Sequence, residues 1–246
     1  MMLLLLALQA ASGPAMQDAD KRYKSCFELA TSSPVKGMLK ATEWKLAGGG
    51  MLAEQCLAVA YANQNRWADA ARAFEEAARD AEAAKDVRAD NLWAQAGNAW
   101  LASGDAAKAR TAIEAALAPG RLKDAALGEA RLDRARTLVA AGDLAGARAD
   151  LDAATSLAPG DALGWLLSAT LARRSGDLAR AKTDIAEALK RGAGDPAVQL
   201  EAGNIAAMGN DETGARSAWA QAVKLAPESA QAKAAEVALA QFSGDR

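Results

Sequence analysis

Residues 142–154 read GDLAGARADLDAA and residues 176–188 read GDLARAKTDIAEA, the same at seven of thirteen positions and 34 residues apart. A chain that restates itself at such a period is built from units that each bury an apolar face against the next, so the period constrains the fold before any motif does. The pairs Gly104-Asp105, Gly142-Asp143, Gly176-Asp177, Asn210-Asp211 and Gly244-Asp245 follow one another at 38, 34, 34 and 34 residues. Aligned on them, Ala109, Ala147, Ala181 and Ala215 fall in register, then Ile113, Leu151, Ile185 and Trp219, then Ala116, Ala154, Ala188 and Ala222. Pro159 and Pro227 close two of the units.

Within a unit the spacing is helical. Leu178, Ala181, Ile185, Ala188 and Leu189 recur at steps of three and four, which is one face of an α-helix, and a second helix of similar length precedes each Gly-Asp pair. Each unit is therefore expected to be two antiparallel helices joined by a short turn. The glycine ends one helix because it tolerates left-handed φ, and the aspartate caps the next. Hydrophobic residues make up 51% of the chain but aromatics only 4%, and the alanine-rich remainder favours closely packed helices over a β-rich core.

The same totals exclude several kinds of chemistry. With 29 basic and 31 acidic residues the chain has no basic excess for a nucleic-acid backbone. It has no histidine, which removes the commonest general base, metal ligand and partner of a serine or cysteine nucleophile. No GxxxxGK[ST], HExxH, CxxC or GxSxG occurs, and Gly48-Gly49-Gly50 lacks the strand and the Lys-Ser of a phosphate loop. The repeated aspartates come one per layer, about 10 Å apart, too far to share a metal ion. No catalytic residue, cofactor-binding residue or metal ligand is expected, and the chain is read as non-enzymatic.

The residues resemble the tetratricopeptide repeat family. In WAQAGNAWLASGDAAKARTAIEAAL, Trp93, Gly97, Trp100, Gly104, Ala109, Ile113 and Ala116 stand at the family's intervals. Tyr61, Ala70, Phe74 and Ala77 do so earlier, and Gly203, Ala215, Trp219, Ala222 and Pro227 later. The resemblance covers roughly residues 51–246 and implies an all-α fold, a right-handed α-solenoid of stacked antiparallel helix pairs. The expected divisions are a divergent hairpin at 16–50, units at 51–89, 90–127, 128–161, 162–195 and 196–229, and a capping helix at 230–246. Trp93, Trp100, Trp165 and Trp219 are expected in the core. Arg131 and Arg134 stand where the family prefers large apolar residues, so the helix carrying them is expected to be less deeply packed.

The resemblance also implies that a peptide or partner segment lies along the concave face of the first helices. Counted around those helices, Gln55, Val59, Asn91, Asn98, Glu129, Arg136, Leu166, Thr170, Arg173, Leu200 and Asn204 should be exposed there. Of these, Gln55, Asn91, Asn98, Arg136, Thr170, Arg173 and Asn204 are the candidate partner-binding residues. Asn98 and Asn204 follow Gly97 and Gly203 where the family carries an asparagine that bonds peptide backbone, and an amide offers donor and acceptor on one short arm. A solvated or locally bonded amide is the alternative at each. Arg136, Arg173 and Arg174 form a mildly basic middle section, suited to acidic segments of a partner, with solvated surface arginines the alternative.

The apolar run Met1–Leu8, followed by small residues, resembles a secretory signal peptide cleaved near residues 11–15. It is too short to span a bilayer, which takes about 20 apolar residues, so no membrane anchor is expected in the mature chain. No Lys or Arg precedes it. Cys26 and Cys56 are the two cysteines, and export implies one disulfide between them; two buried thiols are the alternative. The reading is a periplasmic or secreted scaffold or adaptor that binds protein and not nucleic acid. The competing reading is a cytosolic helical-repeat regulator or RNA-processing module, with the first residues packed as a helix.

Overall fold

The computed structural model describes residues 14–244, with side chains described for 18–242. The run Met1–Leu8, on which the export reading rests, and Asp245 of the last Gly-Asp pair lie outside the described residues. The described backbone is all α-helical, and its contacts fall into two compact units that divide at Gly120 and Arg121.

The first unit holds α1 (Pro14–Ser32), α2 (Pro34–Leu46), α3 (Gly50–Ala62), α4 (Trp67–Ala83), α5 (Ala89–Ser103) and α6 (Ala106–Leu117). Each packs on its chain neighbour, and α1 also reaches α3. That contact carries the Cys26–Cys56 disulfide, with Cα atoms 6.1 Å apart and both residues fully buried, a separation within the ordinary range for the bond. α1 and α2 approach so closely that a Cβ at Gly37 would strike the Ala30 backbone. Around the bridge, Ala41, Trp44, Ala53 and Leu57 form one core, and Phe74, Ala77, Leu92, Ala96, Trp100 and Ile113 form the next.

The second unit holds α7 (Asp124–Ala140), α8 (Leu144–Leu157), α9 (Ala162–Arg174), α10 (Leu178–Gly192), α11 (Pro196–Met208), α12 (Glu212–Leu225) and α13 (Ala230–Gly244). Its helices pair as α7 with α8, α9 with α10 and α11 with α12, and α13 packs on α12. Ala232 and Ala235 of α13 are buried, while Lys233, Glu236 and Val237 face solvent. Phe242 meets Trp219 edge to face at 5.4 Å.

The repeated turns have the chemistry their residues require. Gly142 and Gly176 sit at φ +82° and +80°, the left-handed region where a Cβ is strained, and Asn210 takes that place at φ +58°. The aspartate that follows accepts the backbone N–H three residues on: Asp105 from Lys108, Asp143 from Gly146, Asp177 from Arg180 and Asp211 from Gly214. Each satisfies a donor that the helix leaves open. Asp161 and Asp195, outside the repeated pairs, cap α9 and α11 by accepting the backbone N–H two residues on, from Leu163 and Ala197.

Helix crossings are set by side-chain size. Ala109, Ala147, Ala181 and Ala215 are all fully buried. A Cβ at Gly97 would collide with Ile113, and one at Gly203 with the ring of Trp219. Trp100 and Trp219 are buried as expected; Trp93 and Trp165 are half-buried and donate to Glu82 and to the Pro159 carbonyl.

The helix bearing Arg131 and Arg134 departs from expectation. It buries Leu132, Ala135 and Leu138, so it is not loosely packed. Both arginines reach Asp150 of α8, whose side chain is 2% exposed: Arg131 Nη1 at 3.0 Å, Arg134 Nε at 2.6 Å and Nη2 at 2.7 Å. One buried carboxylate thus accepts three charge-assisted hydrogen bonds, which offset the cost of removing it from water.

Candidate protein-binding face

In the first unit the candidate side chains lie on α3 and α5. Gln55 is half-buried, while Asn91 and Asn98 are exposed, with no partner for either amide among the described residues. Their donors and acceptors are open to whatever approaches.

In the second unit the corresponding positions are more committed. Arg136 of α7 is exposed and donates to Asp133 at 3.1 Å, and burial raises the Asp133 carboxyl above its usual range while Arg136 pulls it down. Thr170 of α9 turns its hydroxyl back to the Leu166 carbonyl at 2.9 Å. Arg173 is spent on Glu201 of α11, with contacts of 2.6 and 3.2 Å. Asn204 is spent as well, donating to Glu201 at 3.3 Å and accepting the Trp219 indole N–H at 3.1 Å. The contrast with Asn98 has a physical reason. Where α12 carries Trp219, α6 carries Ile113, which has no N–H to satisfy, so the first asparagine remains free and the second serves the core. Leu166, expected on the surface, is 7% exposed and belongs to the core. Of the three arginines of the middle section, only Arg174 has no partner among the described residues.

Arg136 and Thr170 come together at a cavity of about 190 Å³ between α7 and α9. Ala135 and Val139 of α7, Leu167 and Leu171 of α9 and Leu151 of α8 supply its walls, and Arg136 and Arg174 stand at its edge. Counting around single helices does not reveal it. The signal was present in LGWLLSATLA, residues 163–172, which has more leucines than one buried face of a helix needs. A broader hollow of about 660 Å³ lies between α10, α11 and α12, with Lys182, Asp211 and Gln221 among apolar residues. In the first unit a hollow of about 170 Å³ holds Lys45 between Glu54 at 2.5 Å and Glu76 at 2.8 Å. Burial raises the Glu54 carboxyl and Lys45 opposes the rise. Among the described residues no three His, Cys, Asp or Glu side chains are grouped to hold a metal ion. None of the described helices is long and apolar enough to cross a membrane.

Paired helices, capped aspartate turns and alanine crossings define a helical-hairpin repeat fold, and comparison with known proteins places that fold. A tetratricopeptide repeat model matches residues 132–181 and 166–232. Among solved structures, the chain is similar to PilW, a widely conserved type IV pilus biogenesis factor. The identity is 16% and the TM-score 0.73, over 88% of this chain and 97% of that one. It is similar to PilF of Pseudomonas aeruginosa at 15% identity and a TM-score of 0.68, over 93% and 100% of the two chains. It also resembles a chain of the APC/C hetero-tetramer Cut9-Hcn1 at 16% identity and a TM-score of 0.68. There it aligns over 92% of its own length and spans 40% of that chain. The fold is that of the tetratricopeptide repeat solenoid proteins. No curated protein matches the sequence.

Proposed function

We propose that the chain is a non-catalytic scaffold or adaptor of the tetratricopeptide repeat type. It holds a peptide or a segment of a partner protein against the exposed face of its odd-numbered helices, and it works in the bacterial periplasm. The repeat units of this reading are 51–89, 90–127, 128–161, 162–195 and 196–229, with 16–50 and 230–246 as the end pieces. The observation that carries it is the free polar surface on those helices: the open amides of Asn91 and Asn98 on α5, and the cavity beside Arg136 and Thr170. YrrB, which shares the fold at 18% identity and a TM-score of 0.55, is a tetratricopeptide repeat protein with an unusual peptide-binding site. The buried disulfide suits an oxidising compartment, and the run Met1–Leu8 suits an export signal.

In the first unit a photo-reactive amino acid at Asn98 should cross-link a partner in living cells and one at the exposed Thr111 on an even-numbered helix should not, and in the second unit the same contrast should hold between Arg136 and the exposed Thr183. Equal adducts at all four positions would refute the assignment of the face. For location, mass spectrometry of the envelope fraction should find a chain beginning between residues 12 and 16 with Cys26 and Cys56 oxidised. An intact Met1 with free thiols would favour the cytosolic regulator instead.

A further inference from the structure

We infer that the cavity between α7 and α9 is a socket for one aliphatic side chain of an extended partner segment, with an acidic residue beside it in that segment. This deepens the reading of the odd-helix face and rests on it.

Three features select that chemistry. The walls are Ala135, Val139, Leu151, Leu167 and Leu171, and the one hydroxyl among the lining residues, that of Thr170, is already turned to the Leu166 carbonyl. Nothing inside asks for a polar group. The volume, about 190 Å³, suits a group the size of a leucine side chain, since an apolar cavity of about 150 Å³ stays dry and accepts benzene.

Charge then decides what flanks the aliphatic group. The nearby carboxylates are taken: Asp133 by Arg136, Glu201 by Arg173, and Asp150 by Arg131 and Arg134. Arg174, at the cavity edge and exposed, has no partner among the described residues. The rim therefore carries one uncompensated positive charge, and a carboxylate next to the seated side chain complements it. Asp133, which already shares Arg136, disfavours a carboxylate on that side, so the acidic residue belongs on the Arg174 side.

The test uses the full chain with labelled methyl groups and blocked heptapeptides titrated to millimolar concentration. One peptide has leucine flanked by glutamates, one leucine flanked by lysines, and one alanine flanked by glutamates. The first should shift the methyls of Val139, Leu151, Leu167 and Leu171 saturably. Arg174→Glu, or lysine flanks, should weaken it about fivefold, the scale of an exposed ion pair. Thr170→Phe, which fills the socket, should abolish the shifts while circular dichroism stays unchanged. Equal shifts from all three peptides, none from the first, or shifts that depend on protein concentration alone and so report a second copy of this chain, would each overturn the socket. Shifts confined to Leu163 or Ile205, away from the socket, would overturn it and leave the wider face standing. Loss of the Asn98 and Arg136 cross-links would remove the face as well.

Discussion

Replacing Asp150 with alanine isolates the most exacting electrostatic arrangement in the second unit. The carboxylate is 2% exposed, and its two arginines are 34% and 30% exposed. Removing one partner of a fully buried pair costs about 3–5 kcal/mol. The arginines left behind can turn partly to water, so the loss expected here is smaller, about 2–3 kcal/mol. In a chain of this size that lowers Tm by about 4–12 °C. The decisive variant is the double one. In the preceding helix pair the positions of Arg134 and Asp150 are held by Ala96 and Ala112, both buried in the core. Asp150→Ala with Arg134→Ala brings those two positions to that pattern and should be more stable than Asp150→Ala alone, leaving the lost packing of the Arg134 stem, about 1 kcal/mol, and an Arg131 that is 34% exposed and turns to water. Urea unfolding followed by circular dichroism measures both, with Asp152→Ala, 46% exposed, as a surface control expected to change stability by less than about 1 kcal/mol. A neutral Asp150→Ala, or a double variant as damaged as the two single losses added together, would refute this account of the pair.

Gly97→Ala drives a methyl into Ile113 and should cost about 1–3 kcal/mol in denaturant unfolding, while Gly194→Ala, with open space around it, should be nearly neutral. Reduction of Cys26–Cys56 frees a loop spanning 30 residues and should lower the stability of the first unit by roughly 3–4 kcal/mol on the loop-entropy model. In hydrogen exchange, α1 should then lose protection while α10 keeps it. The guanidinium of Arg88 beside Asp86 lowers that carboxyl to about 2, below the unfolded value of about 3.9. Its contribution is therefore present above pH ~4 and lost as pH falls through about 2. Asp86→Asn should be less stable than the parent at pH 7 and indistinguishable from it below pH 2, and carboxyl NMR titration should show the low midpoint directly.

The turns and crossings were legible because they depend on residue type at a fixed place in each copy. Gly142 must reach positive φ, Asp143 must cap, and Ala147 must be small whatever its neighbours are. The pairing of Cys26 with Cys56 was legible by number alone. What escaped depends on two positions at once. Arg134 reads as a polar intrusion until Asp150 is seen opposite it on the next helix. The clue lay in the copies: Ala96 with Ala112, Arg134 with Asp150, Ser168 with Asp184 and Ala202 with Ala218 change together. Counting around one helix points Arg173 and Asn204 at a partner, because it shows direction but not company. Glu201 and Trp219, on α11 and α12, engage both. The leucine-lined cavity was hidden for a related reason, since Leu167 reads as core until the small Ala135 opposite leaves it unfilled.

The near-identity of the turns at Gly142 and Gly176 makes the length of this molecule an adjustable quantity. Deleting residues 143–176 would join Gly142 to Asp177 and write LVAAGDLARA where the chain now has LVAAGDLAGA. The splice would inherit a glycine already at φ +82° and an aspartate already seated as a cap. Asp184 would arrive where Asp150 stood, sixteen residues after Arg134, ready to accept the same arginines. Such a shortened protein should fold with no seam at the join, yet it would lack Leu167, Thr170, Leu171 and Arg174 and with them the socket. Its architecture could be cut to measure, and its recognition could not.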